Sequence, residues 1–135
     1  MTSELWTREN LAWMAGIYEG EGYCQGRPRT YQRADGRDFT TTNFRLVISM
    51  SDEDIVTRFH KFAGIGTLRG PRTFPSRPNN KPLWDYSAHG ADGYALGVAM
   101  WSWLGQRRKE QLHAAISAWL QAPGHWSKKK EQIKI

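Results

Sequence analysis

The spacing of apolar residues along this chain changes at Gly22. Before this residue, Leu11, Met14, Ala15 and Tyr18 recur at helical intervals behind an N-cap candidate, Thr7. After it, residues alternate between two faces with the period of a β-strand. The chain therefore begins with a helix that passes directly into a strand.

The same two periodicities recur along the rest of the chain. They predict the order αββαββαα, with an antiparallel sheet covered by helices on one face. In the second helix, Ile55, Phe59 and Phe62 are expected on the buried side, and Ser51 or Asp52 at the N-cap. The expected elements are helix 8–20, strands 23–33 and 39–50, helix 52–63, strands 67–69 and 83–89, and helices 91–104 and 107–120. We expect one domain over residues 1–122 and a basic C-terminal tail over residues 123–135.

The charge balance favours an anionic partner. Nineteen Lys and Arg residues against thirteen Asp and Glu give a net charge of +6, which suits nucleic acid but also ribosomal, membrane-surface and heparin-binding proteins. The single cysteine, Cys24, excludes an intrachain disulfide. The chain has neither a signal-peptide pattern nor an apolar segment of membrane-spanning length, so we expect an intracellular protein, cytoplasmic or nucleoid-associated, without a membrane partner.

The alternation places basic and amide side chains on one face of the predicted sheet. Such side chains suit direct readout of bases, because Arg pairs with guanine and Gln or Asn with adenine in the major groove. A solubility surface is the alternative interpretation of the same face. Residues predicted to contact DNA are Gln25, Arg27, Arg29, Tyr31, Arg33, Thr41, Asn43, Arg45, Val47, Thr67, Arg69, Arg72 and Asp85.

Two carboxylates, Glu19 and Glu21, lie in the last turn of the first predicted helix. The partial negative charge at a helix C-terminus disfavours an acid there by about 0.3–1 kcal/mol. Their position therefore favours a bound cation, and a solvated helix end is the alternative. Carboxylate and carbonyl oxygens select hard cations, so we expect Mg²⁺, with Mn²⁺ as a substitute.

Residues 14–22, MAGIYEGEG, resemble the signature of LAGLIDADG homing endonucleases. The similarity continues in residues 48–52 (ISMSD), residues 64–66 (GIG) and residues 103–109 (WLGQRRK), which resemble later parts of that family. It covers residues 11–120 and contains one copy of the signature.

The resemblance implies a saddle-shaped sheet that contacts double-stranded DNA and a homodimer whose signature helices pack together. It assigns Glu21 to the metal, with the backbone carbonyl of Gly20 beside it, and Arg107 to the neighbourhood of the scissile phosphate. Met50 falls where the family usually has a polar residue that orders water in the active site. The residues it implies for the dimer interface are Ala12, Ala15, Gly16 and Glu19.

The function expected from these features is site-specific, metal-dependent cleavage of double-stranded DNA at a long, roughly palindromic site. The alternative is a binding module on the same scaffold, either an RNA-splicing maturase or a DNA-binding regulator that does not cleave. Glu21 and Arg107 favour the enzyme, whereas Met50 keeps the alternative open. RNA is a partner only under the second hypothesis.

Overall fold

The computed structural model describes residues 4–122, and of Arg29 it describes only the backbone. The order of helices and strands is the predicted αββαββαα, and the expected tail over residues 123–135 lies outside the described residues. A 3₁₀ turn, Trp101–Trp103, separates the last two helices. The elements are α1 (Arg8–Glu21), β1 (Gly22–Gln32), β2 (Asp38–Met50), α2 (Glu53–Ala63), β3 (Thr67–Arg72), β4 (Leu83–His89), α3 (Gly90–Met100) and α4 (Gln106–Gln121).

The four strands form one antiparallel sheet in the order β1-β2-β4-β3. Gln25 of β1 lies opposite Arg45 of β2, which in turn lies opposite His89 of β4. On the other side of β4, Ser87 lies opposite Thr67 of β3. This register fixes which side chains share a face, and it confirms the antiparallel sheet expected from the sequence.

The helices pack on one face of this sheet and enclose the core. Phe44, Leu46 and Ile48 of β2 are buried there together with Tyr86 and Ala88 of β4. Gly26 of β1 is also on this face: a Cβ atom at this position would lie 2.6 Å from the carbonyl oxygen of Ala115 in α4. The α+β prediction with helices on one face is therefore confirmed.

Two helices differ from their predicted form. In α2 the buried residues are Val56, Phe59 and Ala63, while Ile55 and Phe62 are half-buried, so the buried stripe is rotated by one residue from the expected one. Asp52 occupies the N-cap position of α2, but its side chain accepts no hydrogen bond from the helix. The third helix ends at Met100, earlier than expected, because the 3₁₀ turn leads into the extended residue Leu104 ahead of α4.

The helices within residues 4–122 include none that is long and apolar enough to cross a membrane. The longest of them, α4, carries charged residues along its first turns.

Candidate nucleic-acid interface and active site

The open face of the sheet gathers the side chains that the alternation pattern had grouped. Register places Gln25 and Arg27 of β1 beside Arg45 and Asn43 of β2, and Arg69 of β3 beside β4. Two adjoining grooves run over this face, of about 830 and 370 Å³. Arg45 and His89 line both grooves. The other basic, amide and hydroxyl side chains that line one of them are Gln25, Arg27, Asn43, Thr67, Arg69, Arg72 and Ser87.

Arg45 lies at the centre of this face and is held in place by its neighbours. Its Nε donates to Oε1 of Gln25 at 3.0 Å, and its guanidinium lies 5.9 Å from the ring centroid of Tyr23. Because Nε makes this bond, the terminal nitrogens of the guanidinium keep their donors for a ligand such as a base edge. Burial and the positive charges of Arg45 and Arg69 lower the pKa of His89 in the same groove.

Asp85 introduces a negative charge into the larger groove and binds Arg72. Nε and Nη2 of Arg72 donate to the two carboxylate oxygens of Asp85 at 2.8 and 3.0 Å, and the Ser49 hydroxyl donates to Oδ1. The hydrogen bonds from Arg72 lower the pKa of the Asp85 carboxyl, and the same pairing raises the pKa of Arg72. Both residues were predicted to contact DNA, and their charges offset each other in this structure.

Val47 was predicted to contact DNA, but the structure buries it. It lies on the open face, between Tyr23 and Ser87 on the neighbouring strands, but its side chain is only 3% exposed. Val47 therefore lies at the floor of the larger groove, and its burial leaves little surface for contact with a ligand. Alternation shows which face a residue occupies, but not whether longer neighbours cover it.

Aromatic stacking organises the distal end of the β1–β2 ribbon. The rings of Tyr31 and Phe39 stack with centroids 5.4 Å apart, and the Arg33 guanidinium lies 4.8 Å from the Phe39 centroid. Asn43 Nδ2 donates to the Tyr31 hydroxyl at 3.4 Å. Arg29 lies opposite Thr41 in the register, and its side chain lies outside the description.

The predicted metal ligands lie at the exposed C-terminal end of α1. Glu21 is the last residue of this helix, and the Gly22 amide closes it by donating to the Tyr18 carbonyl. Glu21 and Gly20 are exposed, and the space around a Cβ atom at Gly20 is open. The oxygen donors suit a hard cation. Residues 4–122 contain no group of three or more His, Cys, Asp or Glu side chains that could hold a metal.

Two residues predicted at a dimer interface make contacts within the chain itself. Ala15 is fully buried in the chain's own core, because the inner side of α1 is formed by Met14, Ala15 and Tyr18. The Glu19 carboxylate accepts a hydrogen bond at 2.7 Å from the backbone amide of Gly105, the N-cap of α4. By contrast, Gly16 is exposed and has open space around a Cβ atom, and Ala12 is half-buried.

The basic motif contains a functional candidate that the sequence analysis missed. Arg107, the predicted phosphate neighbour, is exposed in the first turn of α4. Arg108 is only 8% exposed, and its Nε donates to the backbone carbonyl of Glu19 at 3.0 Å. A sequence signal existed: Arg108 precedes Leu112 by four residues, in line with the apolar stripe of α4.

Met50 lies at the end of β2 on the helix-covered face. It is half-buried against the core and lies opposite Trp84 of β4. A thioether is a weak acceptor without a polar hydrogen, so this side chain orders water poorly. The neighbouring open-face residue, Ser49, is bound to Asp85.

No family model matches the sequence, and no curated protein matches it. Solved structures match the fold. The homing endonuclease I-CvuI is 16% identical with a TM-score of 0.57, over 81% of this chain and 65% of that one. The group I intron-encoded homing endonuclease I-CeuI is 10% identical with a TM-score of 0.55, over 82% of this chain and 52% of that one.

An archaeal intron-encoded homing endonuclease, I-Vdi141I, is 12% identical with a TM-score of 0.54, over 77% of this chain and 63% of that one. The present chain thus spans somewhat less than two thirds of these proteins. All three were solved with DNA, and I-CvuI was studied in the presence of Mg and of Ca. The chain has the fold of the LAGLIDADG homing endonucleases.

Proposed function

We propose that this chain is a site-specific double-strand DNA endonuclease that acts as a homodimer with Mg²⁺. Residues 1–122 form its endonuclease domain, and its place of action is the intracellular DNA of the cytoplasm or nucleoid. The observation that carries the proposal is the position of Glu21, a single exposed carboxylate at the end of a helix with an uncovered glycine stripe. The similar structures, all homing endonucleases, support the class of reaction.

The homodimer is supported by the surface of α1. Ala12, Gly16 and Gly20 follow at intervals of four and so lie along one side of the helix. Without side chains at Gly16 and Gly20, a second helix can approach the backbone closely. A two-fold axis through this stripe brings the two copies of Glu21 together, so that both chains contribute ligands to one site.

The chemistry follows from the donors at this helix end. Glu21 from each copy and the carbonyl of Gly20 would hold the cation, for which Mn²⁺ substitutes. When bound, a divalent cation supplies an activated water for in-line attack and stabilises the leaving 3′ oxygen. Arg107, exposed in the first turn of α4, offsets negative charge on the scissile phosphate.

Substrate binding belongs to the open face of the sheet. Arg27, Arg45 and Arg69 provide bidentate donors, while Gln25 and Asn43 provide amides that match adenine. Two copies present this surface twice, which suits a long site with two roughly palindromic halves. The target sequence is set jointly by these side chains and by DNA deformation.

The direct test is incubation of the purified protein with Mg²⁺ and a randomised or host-derived DNA library, followed by sequencing of the cut ends. We expect one long, roughly palindromic consensus at the ends, and a dimer by sedimentation velocity with DNA. Intact DNA with Mg²⁺ and with Mn²⁺ would contradict the proposed endonuclease. A monomer in the DNA complex would contradict the shared site.

A second candidate is favoured by Met50. Because its side chain packs on the core and lacks a good polar group, a chain of this fold can bind nucleic acid without cleaving it. Such a protein would be an RNA-splicing maturase or a DNA-binding regulator. Tight binding without cut ends identifies this class, and competition between structured intron RNA and duplex DNA separates its two members.

A further inference from the structure

The end of α1 that carries Glu21 is joined to the start of α4 by two hydrogen bonds, both of which Glu19 accepts. The amide of Gly105 donates to the Glu19 carboxylate at 2.7 Å, and Nε of Arg108 donates to the Glu19 carbonyl at 3.0 Å. We call Glu19, Gly105 and Arg108 the α1–α4 clamp. It binds both the side chain and the backbone carbonyl of Glu19, the residue directly before Gly20 and Glu21.

Arg108 is unusually placed for an arginine. It is 8% exposed, and among residues 4–122 no carboxylate oxygen lies within 4.0 Å of its guanidinium. Its other contacts are Oε1 of Gln111, which accepts from Nη1 at 2.9 Å, and the ring of Tyr18, whose centroid is 5.9 Å away. Its charge is therefore stabilised by a helix-end carbonyl, an amide and an aromatic ring instead of an ion pair.

This placement matches the electrostatics of the two helix ends. A cation at the C-terminal end of α1 offsets the partial negative charge there, and a carboxylate at the N-terminal end of α4 offsets the partial positive charge there. The carbonyls of a last helical turn also need donors from outside the helix. Arg108 provides one donor at Glu19, so the backbone immediately before Gly20 and Glu21 is fixed.

We propose that Arg108 is a positioning residue of the cleavage site, acting through Glu19 to hold the Gly20 carbonyl and the Glu21 backbone in place. This inference rests on the proposed function for its catalytic consequence. Arg108 does not touch the substrate in this scheme; the exposed neighbour Arg107 has that role. Because metal ligands must be held within a fraction of an ångström by supporting contacts, loosening the clamp lowers turnover.

The primary test measures amide hydrogen exchange at Glu21 and Gly22 in DNA-free protein, a readout independent of cleavage. Arg108→Met keeps much of the side-chain length and removes the charge and the donors. We expect exchange at these two amides to rise about tenfold, because the last turn of α1 loses its external support. The matched control is Arg58→Met, which removes an arginine that stacks on Trp13 of α1, at 5.1 Å, outside the clamp.

Cleavage is the second readout. For Arg108→Met we expect kcat at saturating Mg²⁺ to fall about tenfold or more, with DNA affinity within about twofold of wild type. Glu19→Gln retains an oxygen acceptor for the Gly105 amide and is expected to rescue most of the loss seen in Glu19→Ala. The double variant Glu19→Ala/Arg108→Met should lose less than the product of the two single losses, since both act on one turn.

Failure of this inference and failure of the proposed function give different results. If the wild-type protein does not cleave DNA, the endonuclease assignment fails, yet the exchange experiment still decides whether the clamp orders the helix end. If Arg108→Met does not fold, we measure Arg108→Lys in the same way. This variant keeps the positive charge but loses the planar set of guanidinium donors. Exchange and kcat unchanged in a folded Arg108→Met or Arg108→Lys protein would overturn the role of Arg108.

Discussion

The Glu19 carboxylate accepts a hydrogen bond at 2.7 Å from the amide of Gly105, a residue 86 positions later in the chain. This carboxylate lies at the C-terminal end of α1, where the helix dipole disfavours an acid. It also lies at the N-terminal end of α4, where the dipole favours one. Arg108 places a cation beside the α1 end through the Glu19 carbonyl. Glu21 receives no such compensation, because within residues 4–122 its carboxylate has neither a hydrogen bond nor an ion pair.

Replacing Glu21 tests the proposed active site. We expect Glu21→Gln to abolish cleavage while leaving DNA binding largely intact, because the amide keeps the size of the side chain but loses the charge that holds a cation. Cleavage is measured on a plasmid carrying the site, and binding by titration in Ca²⁺. Glu9→Gln, at the exposed start of the same helix, is the control and should cut normally. Wild-type cleavage by Glu21→Gln would refute the mechanism.

Two arginines on the open face test base readout. Arg27→Ala and Arg45→Ala are each expected to relax preference at one position in each half-site, at a cost of about 1–3 kcal/mol for a bidentate contact. Relative affinities for a library of single-base variants provide the measurement. Arg58→Ala, on the α2 surface, removes the same charge away from the sheet and should leave preference unchanged. Uniform weakening across all sequences would instead assign the sheet arginines to phosphates.

Replacing Gly16 by Ala should have opposite effects on the stability of one chain and on the stability of the dimer. In Gly16→Ala the added methyl group meets no atom within 4 Å in the monomer. A mid-helix Gly→Ala change should therefore raise the free energy of unfolding by about 0.5–1 kcal/mol. The same methyl group obstructs close helix packing, so the dimer dissociation constant measured by sedimentation should rise.

Gly26→Ala is the contrasting variant for this experiment. Its methyl group would lie 2.6 Å from the Ala115 carbonyl oxygen, so the fold itself should lose about 1–3 kcal/mol. A Gly16→Ala protein that dimerises as tightly as wild type would count against packing through the α1 stripe.

The Arg72–Asp85 pair predicts a pH dependence of stability. The hydrogen bonds from Arg72 lower the pKa of Asp85 in the folded protein, so the folded state favours the ionised carboxylate. The pair's contribution is fully present above the ordinary Asp pKa of about 4 and is lost as pH falls through the lowered value. Asp85→Asn should therefore be less stable than wild type near neutral pH, and the difference should shrink in acid.

Denaturant unfolding between neutral pH and about pH 2 measures this difference, over a range that spans the ordinary Asp pKa. Asp35→Asn removes the partner of Arg37 in a more exposed pair, and its stability difference should be small throughout. If the difference in the free energy of unfolding between wild type and Asp85→Asn stayed constant down to about pH 2, the charge of the carboxylate would contribute nothing to stability.

Local patterns predicted the elements and the faces of the sheet. The bounds of β4 were predicted as observed, and the alternation through Gln25 and Arg27 matched the open face that register produces. This worked because a one-residue slip would move Phe44, Leu46 and Ile48 from the core to the open side, so the burial of these three side chains fixes the register. Gly22 and Gly64 marked the ends of two helices for equally local reasons.

Contacts between distant segments could not be predicted in the same way. Periodicity grouped Ala15 with the apolar stripe of α1, but it did not predict that Gly16 remains open or that Val47 is buried on the open face of the sheet. The sequence by itself determined the fold class, the open basic face and an acidic helix end, since each follows from neighbours along the chain. Only the assembled fold, which brings Gly105 and Arg108 to the end of α1, decided that Glu19 is bound and that Arg108 is buried while Glu21 remains exposed, because these partners lie 86 or more residues apart in the chain.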